Sequence, residues 1–132
     1  MRFSHLGSLL WRLILVCLSL MSSPSIADDL VSYTIKLENH LFFPSRLEVP
    51  ANTKFKLIIE NKDDVLEEFD SFQLNREKVL FPGRKVSLYI GPLSRGEYAF
   101  FGDYNRSTAA GLIIVLDKST FYNKHKEIKN VD

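Results

Sequence analysis

Residues 96–116 read G-E-Y-A-F-F-G-D-Y-N-R-S-T-A-A-G-L-I-I-V-L. Apolar, β-prone runs occupy positions 98–101 and 112–116, and a polar loop that ends in small residues separates them. Val, Ile, Tyr and Phe favour pleated, half-buried surfaces. The stretch therefore predicts two strands joined by a loop.

Short runs of alternating apolar and polar residues continue this pattern upstream. They lie at positions 33–38, 46–49, 53–60, 66–72 and 86–90, with turn residues between them. Period-two alternation is typical of strands with one face in a core. Seven or eight short strands at regular spacing predict an all-β fold, an antiparallel β-sandwich.

The beginning of the chain has the features of a secretory signal. Arg2 and Arg12 give it positive charge, positions 13–20 are apolar, and Ser25 and Ala27 are small residues at a cleavage site. The apolar run is too short to span a bilayer comfortably, so we expect no transmembrane anchor in the mature chain. We expect a signal peptide at 1–27, a domain at 28–117 and a polar C-terminal tail at 118–132. We predict a periplasmic protein whose tail frays or forms a short helix and adds little to the core.

Cleavage after residue 27 would leave a chain without sulfur, because Cys17, Met1 and Met21 all precede that point. Thiolate catalysis, Cys-ligated zinc, iron–sulfur clusters and blue copper all need Cys sulfur, so we expect none of them. The mature net charge is 15 − 16 = −1, because only two basic residues and no acidic ones are lost. Near neutrality argues against nucleic-acid binding. The sequence has no G-x-S-x-G, H-E-x-x-H or phosphate-binding glycine loop, so we predict no enzyme activity.

Several motifs resemble the cupredoxin-like domains of periplasmic iron-uptake systems, the EfeO-type and Ftr-type cupredoxins. They are E-E-F-D-S at 67–71, R-E-K-V at 76–79, I-G-P-L at 90–93, G-E-Y-A-F-F-G at 96–102 and T-A-A-G at 108–111. The resemblance covers residues 33–116. It implies a Greek-key cupredoxin-like sandwich, secretion and a role beside iron or copper handling.

Blue copper proteins of this fold carry Cys, His and Met in the loop that corresponds to 102–110. Here Gly102 stands at the place of the Cys, Asn105 at that of the His, and Ala109 or Ala110 at that of the Met. The E-F-D-S strand takes the place of the first His, where the resemblance implies a carboxylate at Glu68. The resemblance thus implies no type 1 copper.

A second type of metal site remains open, built from oxygen ligands. Its candidate ligands are Glu68, Asp70, Asp103 and Asn105, with His40 as a tentative fifth. Carboxylates and amides suit hard ions, so the candidate cofactors are iron and, at a non-blue site, copper(II). The alternative is that the acids are solvated or paired with Arg76, Lys78 or Arg106, and that His40 is a turn residue.

A partner surface is predicted at Phe69, Tyr104 and Arg106, although core packing is the usual fate of aromatic residues in a small sandwich. The partner we expect is a membrane iron permease or a periplasmic metal-uptake protein. Two functions follow from the sequence. One is an accessory protein of metal uptake, most plausibly of iron, that binds an ion weakly. The other is a metal-free interaction module that has lost its site.

Overall fold

The structure is a computed structural model that describes residues 30–129, so the predicted signal peptide lies outside it. Nine strands form the body of the fold. They are β1 (Ser32–Glu38), β2 (Leu41–Phe43), β3 (Arg46–Pro50), β4 (Phe55–Asn61), β5 (Glu67–Ser71), β6 (Arg76–Leu80), β7 (Lys85–Ile90), β8 (Gly96–Gly102) and β9 (Ala110–Leu116). A one-turn 3₁₀ helix (Asp103–Asn105) follows β8, and helix α1 (Lys118–Lys129) follows β9.

The strands form two sheets. The first has the order β2-β1-β4-β7, and the second has the order β3-β9-β8-β5-β6. Most neighbours are antiparallel, but β1 runs parallel to β4 and β3 runs parallel to β9. The predicted β-sandwich is confirmed, with nine strands rather than seven or eight and with mixed rather than purely antiparallel sheets. Period-two alternation marks a strand and says nothing of its direction, which is why the parallel pairs were not predicted.

The core lies between the two sheets. In β4, Phe55, Leu57 and Ile59 are buried and alternate with partly exposed polar or apolar residues. The ring of Phe42 in the first sheet lies 5.2 Å from that of Phe100 and 6.3 Å from that of Phe69, both in the second sheet. Burial of such rings contributes most of the stability of a small sandwich. This aromatic cluster joins the two layers.

The C-terminal segment is helical. Phe121 of α1 is only 8% exposed and its ring centroid lies 4.1 Å from that of His125. Lys124 forms an ion pair with Glu48 of β3. The short helix is thus the alternative that the structure contains. Phe121 is buried, but it lies outside the core cluster that fills the sandwich. Neither helix in residues 30–129 combines the length and apolar character that a membrane span requires.

Candidate functional site

Strand β5 separates the candidate residues into two sets. Glu67, Phe69 and Ser71 are buried, whereas Glu68 and Asp70 are partly exposed on the opposite face. This is the alternation that the sequence predicts for 67–71. Because successive side chains of a strand point to opposite faces, the two adjacent glutamates occupy different environments.

The inner face holds the carboxylate of Glu67, which is 1% exposed. Its Oε1 accepts hydrogen bonds from the backbone N–H of Tyr104 at 2.8 Å and from that of Glu68 at 2.9 Å. Its Oε2 accepts a hydrogen bond from Nδ2 of Asn105 at 2.7 Å. A buried carboxylate is tolerated where donors of this kind surround it. This one connects β5 to the 3₁₀ helix.

The loop around this carboxylate is closed by its own backbone. The N–H of Gly102 donates to the carbonyl of Ala109 at 2.7 Å, and the N–H of Ala109 donates to the carbonyl of Asn105 at 2.8 Å. A Cβ atom at Gly102 would lie 2.7 Å from Cδ of Glu67 and 2.8 Å from Cβ of Ala109. A side chain at position 102 would therefore compete with Glu67 and Ala109 for the same space, so glycine is needed there.

Several acidic side chains lie close together on the outer face of β5 and β6. The pKa of Glu68 is raised, mainly by its side-chain hydrogen bond to the carboxyl group of Glu77. Partial burial and the charges of Glu77, Asp103 and Asp70 raise it further. Asp70 lies directly opposite Glu77 in the β5–β6 ladder. Glu68, Asp70 and Glu77 form no ion pair with any residue in the described range 30–129. A groove of about 570 Å³ beside Glu68 and Glu77 has Phe81 in its wall.

His40 lies elsewhere, in the turn between β1 and β2. Its backbone is left-handed, with φ of 57°, and its N–H donates to Oδ2 of Asp63 at 3.0 Å. Its Nδ1 is 3.6 Å from the same carboxylate oxygen. The structure therefore places His40 beside Asp63 in a turn.

The five candidate ligands do not converge on one point. Asn105 turns inward, and its amide donates to Glu67. Glu68 and Asp70 lie on the outer face of β5, and the backbone N–H of His40 donates to Asp63. Of the candidates, Asp70 and Asp103 are near enough to Glu68 for their charges to contribute to its raised pKa. In the part of the chain that the structure describes, His, Cys, Asp and Glu form no group of three or more that could hold a metal ion.

The structure places the three residues of the predicted partner surface in different environments. Phe69 is 0% exposed, so it belongs to the core; its place in the alternation of β5 with Glu67 and Ser71 already indicated this. Tyr104 is exposed, and the guanidinium of Arg106 lies 4.4 Å from the centre of the Phe101 ring while it pairs with Asp103. The most exposed aromatic side chain near them is Phe72, at 71%.

Sequence reasoning did not select Glu67. The doublet Glu67–Glu68 offers two carboxylates, and the resemblance to the E-F-D-S motif directed attention to the second one. The signal that favours the first is the alternation itself, which places Glu67 on the same face as Phe69. A charged residue on the apolar face of a strand is an informative exception.

Comparison with known proteins agrees with this architecture. The profile of the Cupredoxin-like domain family matches residues 11–115. An uncharacterized protein of Rickettsia prowazekii (strain Madrid E) is 43% identical over 90 residues, which are 68% of this chain and 72% of that protein. The chain belongs to the cupredoxin-like domain family.

Two solved structures illustrate the shared fold. The periplasmic domain of subunit II of cytochrome oxidase (CoxB) of Bradyrhizobium japonicum superposes with a TM-score of 0.64 at 13% identity, covering 77% of this chain and 94% of that one. Auracyanin A, a "blue" copper protein of Chloroflexus aurantiacus, superposes with a TM-score of 0.57 at 12% identity, covering 65% of this chain and 98% of that one.

A type 1 copper ion does not fit the residues present. Such a centre needs one Cys thiolate and two imidazoles in a trigonal arrangement, usually with a weak axial Met. The inner site instead contains Gly102, Asn105, Ala109 and a carboxylate, Glu67, whose two oxygens are already hydrogen-bonded. A glycine and an alanine supply no side-chain donor. The chemistry of the site is therefore that of a hydrogen-bonded carboxylate.

Proposed function

We propose that this chain is an exported accessory protein of a metal-uptake system, and that it works by docking on a partner rather than by type 1 copper electron transfer. The observation that carries the proposal is the outer face of β5 and β6. There the acidic side chains of Glu68, Asp70 and Glu77 lie close together with no ion pair among the described residues, and the exposed ring of Phe72 follows directly after β5.

The chemistry of this face favours a basic partner. Like charges directly opposite each other on a sheet are destabilising, and a cationic segment laid across them would relieve that repulsion. Exposed aromatic side chains are enriched at docking sites because they bury much apolar area on contact. Lys and Arg side chains next to an aromatic group would match both features of the face.

The link to metal uptake rests on the resemblance to cupredoxins of iron-uptake systems, in motifs that include the strand 67–71 itself. A membrane iron permease or a periplasmic metal-uptake protein is the partner this implies. Export rests on the signal-like features of residues 1–27.

Site-specific photo-crosslinking in the cell envelope tests the docking proposal. A benzophenone amino acid replaces Phe72 in one variant and Tyr89 in a control, because Tyr89 is also exposed but belongs to β7 of the other sheet. We expect a defined crosslinked partner from position 72 and none from position 89. Equal crosslinking from both positions, or none from position 72, would contradict docking through this face.

A second candidate function is weak ion binding on the same face. It is favoured by the proximity of Asp70, Glu77 and Asp103 to Glu68, which raises the pKa of Glu68. Oxygen ligands of this kind suit iron or copper(II) bound without a blue centre. In this function the protein would hold or hand over an ion.

Calorimetric titration of residues 28–132 with iron(II), iron(III) and copper(II) separates the two functions. One ion bound per chain, with affinity lost in Glu68→Gln but kept in the exposed control Glu38→Gln, would support ion binding. No heat with any of the three ions would leave docking as the function.

A further inference from the structure

The second sheet contains a buried group that neither proposed function uses. The Glu67 side chain is 1% exposed and forms no ion pair in residues 30–129. Burying a carboxylate away from water is costly, so its surroundings must compensate for the lost hydration. The compensation comes from neutral donors, namely two backbone N–H groups and the amide of Asn105.

These donors come from two different elements. One backbone N–H belongs to Glu68 on β5 itself, while the Tyr104 N–H and the Asn105 amide belong to the 3₁₀ helix after β8. One carboxylate therefore connects a strand to the loop 102–109. Bonds to an ionised acceptor are stronger than bonds between neutral groups, which suits the carboxylate to this role.

The space around the carboxylate is matched to it. A Cβ at Gly102 would come within 2.8 Å of Oε2 of Glu67, and Ala109 is fully buried beside it. Any larger side chain at position 102 would compete with Glu67 for the same volume. Gly102 stands at the place of the Cys in the blue copper pattern, and Ala109 is one of the two alanines that correspond to the Met. Neither has a side-chain donor for a metal, and both leave room for the glutamate.

We infer that the Glu67 carboxylate is a permanent internal tie, which holds the loop 102–109 against β5 in the place where a cupredoxin would use a metal ion. This end of the sandwich is then closed in the absence of metal. The tie lies on the inner face of the sheet, so it does not depend on docking through the outer face. Crosslinking from position 72 can fail while the tie stands, and the reverse also holds.

Amide hydrogen exchange of the loop tests the inference. In Glu67→Ala the Tyr104 N–H loses its acceptor, and we expect exchange of residues 104–109 to be faster by about 10- to 100-fold. Glu67→Gln keeps one carbonyl oxygen for the two backbone donors and should give a smaller increase. The control is Glu38→Gln, an exposed glutamate on β1 of the other sheet, which should leave loop exchange unchanged.

Metal dependence is measured on the unmodified protein in the same experiment. Loop exchange should be the same with EDTA as in the protein as purified from the cell envelope. Faster exchange after EDTA, or a loop in Glu67→Ala that exchanges at the original rate, would overturn the inference.

A milder variant covers the case in which Glu67→Ala does not fold. Asn105→Ala removes only the bond to Oε2 and leaves both backbone donors in place. Faster exchange confined to residues 104–109 in this variant supports the tie. Unchanged exchange in both Asn105→Ala and Glu67→Gln contradicts it.

Discussion

Glu67 and Glu68 are neighbours in the sequence and have opposite surroundings. The Glu67 carboxylate is buried and accepts three hydrogen bonds from neutral donors. The Glu68 carboxylate lies on the outer face among Glu77, Asp70 and Asp103, which raise its pKa. The same type of side chain is thus surrounded by hydrogen-bond donors on one face and by other acidic groups on the other.

The difference arises because adjacent residues of a strand face opposite sides of the sheet. Burial makes Glu67 a costly residue, and donors that include two from the 3₁₀ helix offset that cost. Exposure alone would make Glu68 harmless, but its neighbours on β5 and β6 carry the same charge. A residue that is unfavourable for stability and remains accessible is a candidate for binding.

The largest expected effect compares two phenylalanines, Phe69 on the inner face of β5 and Phe72 directly after its end. Phe69→Ala should lower the free energy of unfolding by about 3–5 kcal/mol, because the ring is buried against Phe42 and Phe100. Phe72→Ala should change it by about 1 kcal/mol or less, because that ring is largely exposed even though it packs edge-on against the Phe101 ring at 5.3 Å. Urea unfolding followed by tyrosine fluorescence measures both, and similar losses in the two variants would contradict the assignment of faces.

An intermediate effect is expected from filling the space beside Glu67. Gly102→Ala should cost about 1–3 kcal/mol, because the new methyl group would overlap the Glu67 carboxylate and Ala109. In a Glu67→Ala background the same change should cost less, with a coupling of about 0.5 kcal/mol or more. Strict additivity in this double-mutant cycle would show that the glycine and the glutamate do not share one volume.

The smallest effect is expected on the outer face and depends on pH. Because the pKa of Glu68 is raised in the folded state, the stability it contributes is present below the ordinary glutamate pKa and is lost as the pH rises through the raised value. Glu68→Gln should therefore raise the urea midpoint slightly at about pH 7 and leave it unchanged at about pH 4. A lower midpoint at pH 7 would show that the ionised side chain stabilises the fold; Glu38→Gln serves as the control.

Much of this architecture was predictable from local patterns. Alternation along 67–71 assigns both faces of β5, and the strands at 96–102 and 110–116 follow from their apolar runs. The directions of β1 and β3 were not predictable, because a parallel partner leaves no mark on a single strand. The inner site was missed for a related reason. The role of Glu67 depends on donors from residues 104 and 105, which are distant along the chain.

The parallel pairing of β3 with β9 has a consequence for the order in which the protein folds. Residues 46–50 pair with residues 112–116, so the second sheet cannot be completed until nearly the whole domain is available. The first sheet needs only residues 32–90. Pairings between distant segments form slowly, because a long loop must close before they stabilise the chain. A chain that emerges with its amino end first therefore has a β3 without its partner strand until β9 is available. During this interval the apolar residues of β3 are uncovered, and the chain is most susceptible to aggregation and to chaperone binding.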